Sequence, residues 1–499
     1  MASHHNERPE EEEFEEEILE EDDAAEEIDN QDDDVPMDSD YDDEEEVIIL
    51  QNDSVAHFDR HTDSVFSITS HPRLPNIIAT GGGDDVGYVF DSAVQSPVLP
   101  ASYSTPPQEP ERQSIEALAK LDGHSDSICA IAFTQPAGQY LVTGGLDGRL
   151  RVWKGSNDGR QWKPHAAAQE VEEINWIATS KLTSQPNAFA VGASDGSVWV
   201  YQVCEGASND EKLVPIQTYF PPASASSTAG AWSPSGVLLA TVSDDGSFNV
   251  YDPFGEAAAK GLVPASGQQS LVSLGHGDER FRVEGGLFSV TIGPTGSFAA
   301  MGGADGEIKV VGMPRPATPG AKGKAGAANP GGQLLASLNV QKDSLDETPA
   351  ASIESIAFAA PSVGLMAAAC VDGSISVFDT SRNFALRRYI QNAHDGEAVI
   401  SVKFVGGGGN GDWLLTSCGY DGVIKRWNLR GGAAVGAGAQ STSVEDLREK
   451  GLVGEWKGHR GGGEGGGVLG FVQHGDRSGN WVVTAGDDGV SLIFLTPVG

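Results

Sequence analysis

Histidine, a hydroxyl residue and an aspartate recur along this 499-residue chain in the order that nucleophilic hydrolysis uses. His124, Thr143 and Asp147 form one such set, followed by Trp153, and His394, Ser417 and Asp421 form another, followed by Trp427. Partial sets are His61 with Thr80 and Asp84, and His459 with Thr484 and Asp488. A base, a hydroxyl and an orienting carboxylate could constitute a hydrolytic triad. An enzyme, however, needs one constellation converging on one pocket, and a motif repeated along the chain is a poor candidate for that.

The elements carrying these residues explain the repetition. TGGLDGRLRVW (Thr143–Trp153) has relatives at TGGGDDVGYVF (Thr80–Phe90), VGASDGSVWVY (Val191–Tyr201), TVSDDGSFNVY (Thr241–Tyr251), MGGADGEIKVV (Met301–Val311), AACVDGSISVF (Ala368–Phe378), SCGYDGVIKRW (Ser417–Trp427) and TAGDDGVSLIF (Thr484–Phe494). Each reads as strand, tight turn, strand, with Asp-Gly suited to the positive backbone angles of a hairpin turn. Upstream of each lies another apolar alternation, such as SVFSITS (Ser64–Ser70), and a further short strand such as IEALAKL (Ile115–Leu121). Four strands per unit, eight times over, predict an all-β, eight-bladed propeller, because closing the ring protects sheet edges that a lone blade would leave unpaired. VAHFDRH (Val55–His61) reads as an outer strand with no blade before it, and the chain ends soon after SLIFL (Ser491–Leu495). The N-terminal strand is therefore expected to complete the eighth blade.

Charge divides the chain. Residues 1–46 hold 25 acidic residues and one arginine, within a total net charge of −40. Self-repulsion and few apolar groups predict a disordered acidic tail over 1–46, ahead of a propeller over 47–499. The tail reads either as solvated padding or as a match for a basic partner. Excess negative charge argues against direct nucleic-acid binding. No apolar run is long enough for a membrane span, and no basic and apolar leader is visible. Cys129, Cys204, Cys370 and Cys418 lack paired spacing, which suits a reducing compartment and offers neither a zinc site nor a disulfide frame. GGGGNG (Gly406–Gly411) lacks the lysine and helix of a phosphate loop. No metal, cofactor or enzymatic activity is expected.

The repeats resemble WD40 repeats over about residues 50–499. The resemblance implies that His124, Thr143, Asp147 and Trp153, and likewise His394, Ser417, Asp421 and Trp427, are buried structural hydrogen-bonded sets and not triads. It also implies that the strand-two-to-three turns and the blade-to-blade connections share one face, called the top. Long insertions fall on the opposite face, at Ser92–Arg112, Pro253–Gln268, Met313–Gly332 and Arg430–Ser443. Offsets from the motif put Asp244, Tyr420 and Asp487 just before the turn aspartates. Glu173, Glu354 and Glu397 fall at the starts of first strands, and Phe66, Phe288 and Ile400 near the channel mouth. Neither set of offsets contains Lys or Arg. The expected top is an acidic rim around an apolar and aromatic centre, a receptor for an extended peptide carrying cations between apolar anchors.

The acidic N-terminal region running into EEEVIILQNDSVAHFDRHTDSVFSI (Glu44–Ile68), together with EEINWIATS (Glu172–Ser180), narrows the resemblance. It points to the WD40 branch containing the angio-associated migratory cell protein and a fungal dedicated chaperone of large-subunit ribosomal protein L-ten. That resemblance implies a monomer in the cytoplasm, with the nucleus as a second compartment. The implied activity is capture of the basic N-terminal segment of a newly made large-subunit ribosomal protein until its incorporation. The alternatives are a general scaffold and a histone or basic-protein adaptor working through the acidic tail.

Overall fold

The computed structural model describes residues 51–94, 113–221, 225–259, 269–315, 329–340, 352–407, 411–430, 447–448, 450–461, 465–474 and 480–496. The acidic segment 1–46 lies outside them, as do most of the four long insertions and most of the connection Val340–Ala351.

Seven antiparallel sheets have four strands each and an eighth has five. Blade 1 comprises Val65–Ser70, Ile77–Gly82, Gly87–Asp91 and Ala117–Leu121. Blade 7 comprises Val399–Phe404, Leu414–Gly419, Ile424–Asn428 and Leu452–Trp456. The second strands of both are buried throughout, because a neighbouring blade covers each face. Such close stacking leaves little room for side chains. A Cβ on Gly144 would approach the Ile174 side chain of the next blade to 2.7 Å. Turn chemistry follows the sequence, with Gly148 at φ 70° after Asp147. In blade 1, where no glycine follows Asp84, Asp85 takes the left-handed conformation at φ 61°.

The eighth sheet closes the ring. Val468–His474, Trp481–Gly486 and Ser491–Leu495 are joined by Ala56–Phe58, in register Ala56 to Ile493 and Phe58 to Ser491. A fifth strand, Gln113–Ser114, which the sequence did not announce, runs parallel to Ala56–His57 and covers the edge of the clasp. Phe58 is fully buried, stacks on Phe90 at 4.3 Å, and belongs to a core that also holds Ile78, Val483 and Ile493. Blades 8 and 1 therefore share one hydrophobic seam.

Candidate functional site

The eight first strands line the central channel, and seven of them slip register at the same place. The residue left unpaired is Phe66, Asn175, Thr228, Phe288, Glu354, Ile400 or Leu469. In blade 2 the strand begins at Ala130, immediately after Cys129. A bulge places an extra residue outside the ladder and re-aims its side chain. The fold thus presents a bulge residue at the mouth in seven blades, and Cys129 stands just ahead of the first strand in the eighth.

These residues divide by chemistry. Polar ones are spent on the seams between blades. Asn175 Nδ2 donates to the Ser227 carbonyl at 2.9 Å, Thr228 Oγ1 to the Leu287 carbonyl, and Cys129 Sγ to the Ile174 carbonyl at 2.7 Å. Phe66 and Phe288 remain exposed, at 44% and 38%. Glu354 is exposed too, and its carboxylate accepts a 2.8 Å hydrogen bond from Ser352. Phe66, Trp176, Glu354, Ile400, Lys403 and Phe471 share a recess of about 390 Å³. Phe288 does not line it.

The expected acidic residues occupy three different registers. Glu354 is the only one at the bulge position. Glu173 precedes its strand by one residue and Glu397 by two, both exposed and farther out on the rim. Asp244 is exposed in the turn of blade 4, where its amide donates to the Ser226 carbonyl at 3.1 Å. Asp487 is half-buried, and its carboxylate accepts from Ser64 Oγ at 2.6 Å and from the Tyr420 hydroxyl at 3.1 Å. That carboxylate pushes the Tyr420 phenol up. Tyr420 and Asp487 are thus partners of each other as well as candidate ligand contacts.

Lys403 lies three residues beyond the Ile400 bulge, outside the mouth offsets. It is open to the channel, and Nζ donates to the Phe471 carbonyl at 2.6 Å and sits 4.9 Å from that ring's centroid. Enclosure by the channel walls pulls its ammonium below the ordinary lysine range.

The repeated His, hydroxyl and Asp residues form hydrogen-bonded sets within the blades. His124 Nδ1 lies 3.1 Å from Asp147 Oδ1 and Nε2 lies 2.9 Å from Thr143 Oγ1, which also accepts from Trp153 Nε1 at 3.4 Å. In blade 7, His394 meets Asp421 at 2.9 Å and Ser417 at 2.7 Å, and Trp427 Nε1 donates to Ser417 at 2.9 Å. His61 and His459 make the same bonds in blades 1 and 8. Burial pushes the His124 ring down, outweighing its Asp147 hydrogen bond. Burial pushes the Asp421 carboxyl up, but His394, Lys425 and the Val423 amide outweigh it and hold the carboxyl below the usual range. At His124 burial thus favours the neutral ring, with Nδ1–H donating to the Asp147 carboxylate and Nε2 accepting from the Thr143 hydroxyl. The hydroxyls are buried, and Thr143, Ser417 and Thr484 each engage a second group besides the histidine, a geometry for holding a turn and not for attacking a substrate.

Among the described residues, no three His, Cys, Asp or Glu side chains gather as a metal-binding group, and no helix is long and apolar enough to cross a membrane.

The family described as "WD domain, G-beta repeat" matches residues 115–154, 215–252 and 387–428. The ribosome assembly protein SQT1 of Saccharomyces cerevisiae is 29% identical over 468 residues, covering 90% of this chain and 88% of that one. The human angio-associated migratory cell protein is 22% identical over 389 residues, covering 76% and 71%. The crystal structure of Sqt1 from Chaetomium thermophilum bound to the N-terminus of the ribosomal protein L10 superposes with a TM-score of 0.73. It is 46% identical, covering 89% of this chain and all of that one.

Proposed function

Since the chain belongs to the Sqt1 family of WD-repeat propellers, we propose that it is a ribosome-assembly chaperone for a large-subunit ribosomal protein of the L10 type. It receives the basic N-terminal segment of that client on the top face and keeps it soluble until incorporation. The single observation that carries the site is the bulge ring, which presents Glu354 beside Phe66 and Ile400 over one recess. A carboxylate next to exposed apolar side chains suits a segment in which cations alternate with apolar residues. Glu173, Asp244, Glu397 and Asp487 extend the negative rim, and Phe288 and Tyr420 add aromatic surface. The work is binding, not catalysis, and the compartment we infer is the cytoplasm, where the client is translated, with the nucleus as a second location.

The test is calorimetric titration of the full chain with a synthetic peptide of the L10 N-terminus, beside the double variant Glu354→Lys, Asp487→Lys. Loss of binding in the variant, with its thermal unfolding retained, supports the top face as receptor. Undiminished binding overturns it and leaves the acidic segment 1–46 as the binder.

A further inference from the structure

The channel wall is almost uncharged. Across the eight first strands, Glu354 is the only carboxylate and Lys403 the only lysine or arginine. Both line the same recess. They differ in depth. Lys403 lies three residues along its strand from the Ile400 bulge, which at ~3.3 Å per residue puts it about 10 Å farther into the channel. The equivalent positions of the other blades hold only alanine, threonine or valine, among them Ala132, Ala178 and Ala357. One large cationic side chain therefore projects from a ring of small ones.

What surrounds Lys403 gives it a discriminating role. Among the described residues no carboxylate pairs with it. Its neighbours are the Phe471 carbonyl, the Phe471 ring and the Cys418 thiol, which burial keeps protonated with its pKa pushed up to about 12. An ammonium has three donors and no acceptor. One donor is used on Phe471, so the others face whatever enters the recess. A guanidinium or second ammonium arriving there meets like charge, with the one channel carboxylate, Glu354, set nearer the mouth. A side chain ending in a neutral oxygen meets a charge-assisted donor.

We propose that Lys403 is a specificity-determining residue of the mouth. It bars arginine and lysine from the channel and reserves the recess for an uncharged client residue whose tip accepts a hydrogen bond, while client cations stop at the rim with Glu354. This inference rests on the reading of the top face as the client receptor, and it adds an order to the client: a neutral residue inward, cations outward.

An arginine scan of the client segment tests it. Each uncharged residue of the L10 N-terminal peptide is replaced in turn by Arg, and affinity is read by fluorescence anisotropy against wild-type chain, Lys403→Met, Lys403→Glu and Glu354→Lys. We expect one position at which Arg weakens binding to the wild type by about tenfold or more. That penalty should shrink in Lys403→Met and vanish or invert in Lys403→Glu. Lys403→Met, which keeps an unbranched side chain of similar length, guards against misfolding, and thermal unfolding of each variant is the control. A scan without such a position, or one whose pattern is the same in Lys403→Glu, overturns the proposal. Glu354→Lys separates the two readings. If it weakens the parent peptide while the Lys403 variants leave the scan unaltered, the receptor stands and the selectivity filter falls. If it leaves the parent peptide unaffected, both fall.

Discussion

The Tyr420 hydroxyl of blade 7 donates a 3.1 Å hydrogen bond to Oδ2 of Asp487 in blade 8, while Ser64 of blade 1 donates to Oδ1 at 2.6 Å. One rim carboxylate thus ties three blades together across the closing seam. Its charge is still available to a ligand, but its geometry is already determined. Asp487→Asn should lower client affinity by no more than about fivefold, the scale of a single exposed ion pair. Tyr420→Phe, which leaves the charge in place, should stay closer to wild type. Titrations of the two variants side by side would check the order, and a larger loss in Tyr420→Phe would show that Tyr420 contacts the client directly.

Glu354→Lys should be the most damaging single change at the rim. It reverses the only carboxylate at the bulge register, next to Phe66 and Ile400, where like charge faces a client cation at close range. A loss above about tenfold is expected, against about fivefold or less for Glu173→Lys or Asp244→Lys on the outer rim. Equal losses at all three would mean that the rim acts only as a diffuse field.

Association with the client should slow as salt is added. The whole chain carries a net charge of −40, so encounter with a cationic peptide is steered over a range set by the Debye length, about 10 Å at 0.1 M salt. Stopped-flow association rates across ionic strength would show a steep fall, with dissociation rates changing far less. A flat association rate would remove the electrostatic part of the mechanism.

The clasp should dominate stability. Phe58 is fully buried between blades 8 and 1, against Phe90 and Tyr88. Phe58→Ala should cost roughly 3–5 kcal/mol in denaturant unfolding. Deletion through residue 60 should abolish the cooperative transition, because the closing sheet loses its outer strand.

Acid should destabilise the propeller in two stages. His124 has a folded pKa below its ordinary 6.5, so below 6.5 the unfolded chain takes up the proton first and stability falls with pH. Asp84, Asp147 and Asp421 have folded pKa values below the ordinary 3.8. Each carboxyl is raised by burial, but hydrogen bonds and the facing histidine outweigh that. Their contribution is complete above 3.8 and is lost as pH falls through the depressed folded values. Unfolding free energy measured from pH 7 to 3 should show both slopes. Asp147→Ala should flatten the lower one and cost about 1–3 kcal/mol at neutral pH, since His124 Nδ1–H is left buried without an acceptor.

Blade number, turn positions, the N-terminal clasp and the His, hydroxyl and Asp sets were all legible in the sequence. They depend on local periods of two, on Asp-Gly turns and on a motif repeated eight times, and such information is carried within each unit. The mouth was only partly legible. Phe66, Glu354 and Ile400 meet over one recess because a bulge in each of their three strands shifts register by one residue, a backbone event that depends on packing against the next blade. Offsets counted along the chain therefore put Glu173, Glu354 and Glu397 in one class, and the ring separates them. The same limit hid the partnership of Tyr420 with Asp487 and the depth of Lys403. Sequence determined which strands exist and how many. Only closure of the ring decided which side chains converge, because residues as far apart in the chain as Ser64 and Asp487, 423 positions, become neighbours when blade 8 meets blade 1.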